Sequence, residues 1–278
     1  MNLRPAASKL HLFYALFAVA LLGSSVALAQ TTTLQPDESA KEGTALVRLV
    51  HVAPNLPAAT VTLTSRGDNA ETFTPDAFSN LSYGSATDYI ELPAGDYWLT
   101  ISGEGLQVLQ KDVGFRKDNH HTLTLCGLVL PDAGAQADEE TDFVDWLRRL
   151  FGGEQDDALA LRVGAYDDDV SQVASDQQRV RVIDAAPAAS DFDLVAIEND
   201  GSAEVVAGGL SFTDASDFVT LDAGVTGLEL RVAGSAKTVI DLSDTLARGS
   251  AQTVIITGTE FEGLPLEALT LEDAQLPR

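Results

Sequence analysis

The sequence predicts an all-β protein: two tandem immunoglobulin-like β-sandwich domains, with a short amphipathic helix inserted in the first. Three observations carry this. Apolar residues alternate with a period of two in short runs, the mark of half-buried strands. Turn residues separate the runs every ~8–12 positions. The whole pattern then recurs roughly 130 residues later in the chain. The 278 residues suffice for one large or two ordinary domains, and 45% hydrophobic content suffices for a packed core.

The first segment, residues 1–29, reads as a cleaved secretory signal. Arg4 and Lys9 form a basic start, Leu10 to Leu22 an apolar run broken by His11, and Ala27-Leu28-Ala29 a small-residue cleavage site. The run falls short of the ~20 residues that span a bilayer. Cleavage after Ala29 would leave no transmembrane segment, so the mature chain is expected to be exported: periplasmic, at the cell surface or secreted.

The first domain is expected over 45–169. Its opening strand is Val47-Arg48-Leu49-Val50-His51-Val52-Ala53-Pro54, matched later by Val180-Arg181-Val182-Ile183-Asp184-Ala185-Ala186-Pro187. Ala59, Val61 and Leu63 alternate with threonines in the next strand, and their counterparts are Phe192, Leu194 and Ala196. Leu81 to Tyr89 matches Leu210 to Phe218. Pro93-Ala94-Gly95-Asp96 is a turn in which Gly95 is free to take a positive φ. Tyr97, Leu99 and Ile101 follow, matched by Leu228, Leu230 and Val232. Thr122 to Gly127 matches Thr253 to Gly258. The closing strand, Ala160-Leu161-Arg162-Val163, aligns with Ala268-Leu269-Thr270-Leu271, and the first copy carries an insertion within 131–157 before it. A polar linker near Asp167–Gln178 leads to the second domain, 179–273.

The run from Val47 to Ala58, with Leu92-Pro93-Ala94-Gly95-Asp96-Tyr97 downstream, resembles the family called domain of unknown function 4397. Its members are exported bacterial proteins, often with tandem copies. The resemblance implies a cell-envelope β-sandwich protein in two copies, and it brings no catalytic residues with it. Asn55 stands where members commonly carry Asp, and in the second copy Asp184 and Asp222 replace the His51 and Pro93 of the first.

The chemistry-bearing residues are few. There are 17 Lys+Arg against 42 Asp+Glu, a formal net charge of −25, which excludes a phosphate-backbone binder. One cysteine, Cys126, excludes an internal disulfide and a four-Cys zinc site, and reads as a packed small residue. No Gly-x-Ser-x-Gly elbow occurs to raise a nucleophile. His51 faces the same way as Val47 and Leu49 and reads as a structural hydrogen-bonding residue. His120 and His121 sit at a polar turn and point to opposite faces, which disfavours a shared metal. Asp167-Asp168-Asp169 and the Asp191, Asp193 pair lack the turn Gly and distal Glu of a calcium loop, so they read as solvated acids.

Two features are candidate contact sites. Phe143, Trp146, Leu147, Leu150 and Phe151 fall at i, i+3, i+4, i+7 and i+8, one apolar stripe of a helix that Gly152-Gly153 ends. That stripe packs on the first domain, or docks a partner or a membrane surface, the last disfavoured by the surrounding acids. Trp98 alternates out of the Tyr97, Leu99, Ile101 row and is the candidate ligand-facing aromatic. The expected function is a non-enzymatic structural, adhesive or interaction module of the cell envelope. Its partner would be an unknown protein or envelope component, with no cofactor, metal or nucleic acid. The alternative is a carbohydrate- or small-ligand-binding protein.

Overall fold

A computed structural model describes residues 43–67, 69–103, 109–129, 159–187, 189–245, 247–259 and 265–275. All lie in one compact unit. The leader 1–29 and the inserted helix with its stripe fall outside the described residues.

The first half contains β1 (Thr44–His51), β2 (Ala58–Ser65), β3 (Thr72–Phe73), β4 (Leu81–Ser82), β5 (Ser85–Ala86), β6 (Ile90–Pro93), β7 (Gly95–Gly103), β8 (Leu109–Phe115), β9 (His120–Cys126) and β10 (Arg162–Asp168). The second contains β11 (Gln178–Asp184), β12 (Phe192–Glu198), β13 (Ala203–Leu210), β14 (Val219–Leu221), β15 (Val225–Val232), β16 (Thr238–Asp241), β17 (Ser250–Thr257) and β18 (Glu267–Gln275). The helical elements described are two 3-10 turns, Asp76–Phe78 and Ser243–Thr245.

These strands form two pairs of sheets. In the first half an inner sheet, β10-β9-β1-β5 with β6 also on β1, faces an outer sheet, β3-β2-β7-β8 with β4 on β2. They share a core of Val47, Leu49, Leu123 and Leu125 from one and Val61, Leu63, Leu99 and Ile101 from the other. In the second half β14-β11-β17-β18 faces β13-β12-β15-β16 over Val180, Val182, Leu194, Leu228 and Leu230. The two inner sheets then meet through Val50, Val52 and Cys126 on one side and Ile183, Ala185, Ile255 and Leu271 on the other.

This arrangement corrects the expected immunoglobulin-like β-sandwich. That fold is built from antiparallel sheets, whereas β1 runs parallel to β9 and β11 parallel to β17. Among the described residues no sheet closes on itself, and they form an all-β fold of two sheet pairs. Alternation could not reveal this, because a period of two says which face a residue takes and not the direction of the neighbouring strand.

Local patterning follows from the layers. The outer strand β2 alternates buried and half-buried residues, since one face meets solvent. The inner strand β1 is buried from Ala45 to His51, because sheets cover both of its faces, and its sequence is correspondingly a near-continuous apolar run. The predicted core positions Ala59, Val61, Leu63, Phe192, Leu194 and Ala196 are all buried. Gly95 takes its positive φ of 151°. Two alignments shift. Val163 and Ala268 hold matching places, opposite Leu125 and Ile256, so the Leu161/Leu269 alignment is out of register. Asp167 and Asp168 belong to β10, which shortens the connector to 169–177.

Candidate functional site

The outer face of the first half's β3-β2-β7-β8 sheet is polar. Successive outward residues of β2 are Thr60, Thr62 and Thr64, and across from them β7 presents Ser102, Thr100 and Trp98. Asp112 and Gln110 of β8 complete the rows. Thr62 Oγ1 lies 2.6 Å from Thr74 Oγ1, and Thr64 Oγ1 2.9 Å from Thr72 Oγ1. Trp98 stands at the centre of its row, 40% exposed, as alternation from Tyr97 and Leu99 requires. The Arg66 guanidinium sits 4.9 Å above its ring and pairs with Asp112 at 2.9 Å. Trp98 is not covered by a neighbouring sheet. It is an exposed aromatic clamped by a solvent-screened ion pair.

Open cavities among the described residues lie elsewhere. One, of about 420 Å³, runs between the edges of β8 and β10 and includes Lys111, Arg162, Tyr166 and Thr213. Another, of about 340 Å³, is in the second half, beside Gln178, Asp222, Ser243 and Arg248.

The histidines and the cysteine have structural surroundings. His51 is fully buried, and its Nδ1 accepts a hydrogen bond from the Ala53 amide at 3.3 Å, holding the turn after β1. Asp184 does the same at the end of β11, its Oδ1 accepting from Ala186 N at 2.9 Å. Burial pushes His51 down to about 4. Burial pushes Asp184 up to about 7, with Asp191 and Asp214 adding to the effect and the Ala186 amide opposing it. His120 and His121 begin β9 rather than forming a turn. His121 Nε2 accepts from Arg116 N at 3.0 Å, and its Nδ1 lies 2.9 Å from Asp167 Oδ1. Cys126 is buried where the inner sheets meet, and burial pushes its thiol up to about 12, away from nucleophilic use.

The Asp167-Asp168-Asp169 run and Asp193 are not simply solvated acids, which corrects that expectation and the label of a merely acidic protein. Asp169 pairs with Arg179 at 2.6 Å, and Asp193 accepts from the amides of Gly209 and Gly234 at 2.9 and 2.8 Å. The Asp168 side chain has no exposure at all. Among the described residues no group of three or more His, Cys, Asp or Glu is placed to hold a metal ion.

Asp168 belongs to a buried charge network that sequence reasoning missed. Arg48 of β1 donates through Nε to Thr122 Oγ1 at 2.8 Å, within its own half. Its other nitrogens reach the second half, donating to the Glu272 carbonyl at 3.4 Å and to the Asp273 carboxylate. Arg181 of β11 donates to Thr253 Oγ1 at 3.3 and 2.9 Å in its own half. It then reaches back to the Asp167 carbonyl at 2.9 Å and to Asp168 Oδ1 at 2.5 Å. Thr122 donates to Asp168 at 2.7 Å and Thr253 to Asp273 at 2.7 Å. Arg48 covers the Tyr89 ring at 4.8 Å and Arg181 the Phe218 ring at 4.7 Å. Burial opposes the charge on Arg48, but Asp273, Tyr89 and Asp168 hold it above its ordinary value. At Asp168 burial is outweighed by Arg48 and Arg181, so its carboxyl is held low. The available signal was an arginine in the middle of an apolar strand at the same place in both repeats.

These features define a class: an all-β protein of paired open sheets. A family model described as domain of unknown function (DUF4397) matches residues 45–142, about a third of the chain and one copy of the repeat. No curated protein matches. Similar solved structures include a candidate adhesin from Bacteroides ovatus, with 12% identity over 81% of this chain and 92% of that one, at a TM-score of 0.23. They also include the fimbrial anchor protein Mfa2 from Porphyromonas gingivalis, with 10% identity over 84% and 100%, at 0.21. A candidate cell adhesion protein from Bacteroides eggerthii has 8% identity over 85% and 98%, at 0.22. Likeness at these scores carries no inference about this chain.

Proposed function

We propose that the protein is an exported, non-enzymatic interaction module of the cell envelope, structural or adhesive, whose contact surface is the polar outer face around Trp98. The observation that carries this reading is Trp98 itself, a large aromatic left 40% exposed amid rows of threonine. Aromatics that are rigid and partly wet are favoured as contact anchors. The test is retention of the labelled mature protein on envelope fractions of the source cells. Trp98→Ala is expected to lower retention about ten-fold, and the melting temperature is expected to stay within a few degrees, because the side chain leaves no cavity. Equal retention of variant and wild type overturns the surface assignment.

A carbohydrate ligand is the second reading, favoured by the same aromatic beside hydroxyl-bearing neighbours. Arg66 over the ring counts against it, since a sugar would have to displace that guanidinium. A glycan array separates the readings: a defined hit lost in Trp98→Ala supports the saccharide. The stripe of Phe143, Trp146, Leu147, Leu150 and Phe151 is proposed as a second contact element. If it serves a partner, deleting 131–157 leaves cooperative unfolding intact and lowers retention. Loss of cooperative unfolding would instead make the stripe core.

A further inference from the structure

We propose that the inner face of the first half, formed by β1, β9 and β10, is a self-complementary docking face whose partner is another copy of the same module. In this chain, residues 178–275 occupy it. The inference does not rest on the function proposed above.

The argument is the reciprocity of the contacts. Each arginine uses a threonine and an aromatic of its own half, and takes its carbonyl and its carboxylate from the other. Arg48 and Arg181 occupy the same place in the repeat, as do Thr122 and Thr253, and Tyr89 and Phe218. The carboxylates obey the same relation: counted from the matching Val163 and Ala268, Asp168 and Asp273 hold the same place along β10 and β18, each accepting from the threonine of the neighbouring strand. Residue i meets j while the equivalent of j meets the equivalent of i, which is the signature of an isologous interface. The apolar surround follows suit, with Val50 matched by Ile183 and Val52 by Ala185. A face that presents both an arginine and its acceptor in this geometry satisfies a second copy of itself, with Arg48 on Asp168 of the other molecule, twice. The connector 169–177 makes the internal pairing intramolecular, so it wins over pairing between chains at ordinary concentrations.

The test uses the mature full-length chain and two readouts, sedimentation velocity and the rate at which Cys126 reacts with 5,5′-dithiobis(2-nitrobenzoate). Cys126 is fully buried at this interface, so its rate reports opening of the face. The wild type is expected to be monomeric with a slow thiol. In Arg181→Asp/Asp273→Arg, Arg48 meets an arginine and Asp168 an aspartate, and the internal interface opens. The thiol should then react about ten-fold or more faster at low protein concentration. As concentration rises the variant should dimerise through its two intact first-half faces, and the thiol should become protected again. Adding Arg48→Asp and Asp168→Arg reverses both partners and should restore the monomer with a slow thiol. A variant that opens but stays monomeric at every concentration, its thiol always fast, overturns self-complementarity. A thiol as slow as the wild type's in the double variant overturns the assignment of these charges as the determinants. Should near-ultraviolet dichroism show the double variant unfolded, the neutral pair Arg181→Gln/Asp273→Asn is read in the same two ways.

Discussion

At the scale of single residues, the equivalent positions His51 and Asp184 perform one task with opposite titration behaviour. His51→Ala leaves the buried Ala53 amide without its acceptor and is expected to cost about 1–3 kcal/mol. His51→Asn, which offers an acceptor oxygen, should recover part of that loss in urea denaturation. The pH dependence has two signs. The folded state disfavours protonated His51, so its contribution is lost as pH falls from about 6.5 toward 4. Asp184 is raised from 3.8 to about 7, so its neutral form is the stable one and stability is lost as pH climbs through that window. The two oppose each other between about pH 4 and 6.5. Asp184→Asn should therefore match the wild type near pH 4 and exceed it above pH 7, by up to about 4 kcal/mol. A difference that does not grow with pH would refute a neutral buried Asp184. The sequence pattern already suggested that this position accepts a hydrogen-bonding side chain. Nothing in it disclosed that both residues end in the same contact to an amide two positions on.

Among the elements, the strands whose legibility was highest are those with one wet face. Ala59, Val61 and Leu63 announce β2, and Tyr97, Leu99 and Ile101 announce β7, because alternation is the direct trace of half-burial. The inner strands were legible as strands and misread in their surroundings. Val47 to Val50 is apolar on both sides because two sheets cover it, and Arg48 inside that run was passed over. Trp98 was placed correctly on the outward side, but Arg66 arrives over it from the end of β2, a tertiary contact that no spacing encodes. The ends of β9 and β17 share a constraint that can be tested. Gly127 has φ 92° and Gly258 has φ 90°, and a Cβ on Gly127 would sit 2.4 Å from the Ala160 carbonyl oxygen. Gly127→Ala is expected to lose about 1–3 kcal/mol and lower the melting midpoint, since a backbone oxygen cannot yield as a side chain would. A midpoint unchanged from wild type would mean that the strand end relaxes freely.

For the molecule as a whole, the network at the meeting of the inner sheets should behave as two coupled halves of one unit. Removing one member of a buried pair strands its partner's charge, at a cost of about 3–5 kcal/mol. Arg48→Ala and Asp273→Ala are each expected in that range, and so are Arg181→Ala and Asp168→Ala. Each double should cost less than the sum of its singles, which a thermodynamic cycle by chemical denaturation measures. Strict additivity would mean that the pairs are not coupled in solution.

The parallel pairing of β1 with β9 also orders events in time. A chain made from its N-terminus presents β1 while its ladder partner is still some 70 residues behind it. Pairings so remote along the chain close slowly. The Arg48 guanidinium waits longer still, because its carboxylate lies 225 positions on, in the final strand. A polypeptide truncated before β18 would hold the whole first half and most of the second, and yet lack the Asp273 carboxylate that pairs with Arg48. The strand β18 thus completes the surroundings of the first: the Asp273 carboxylate reaches Arg48 only once β18 is in place. Removing 267–275 should accordingly give a protein that is cleaved rapidly by added protease, although every residue of the first half is present.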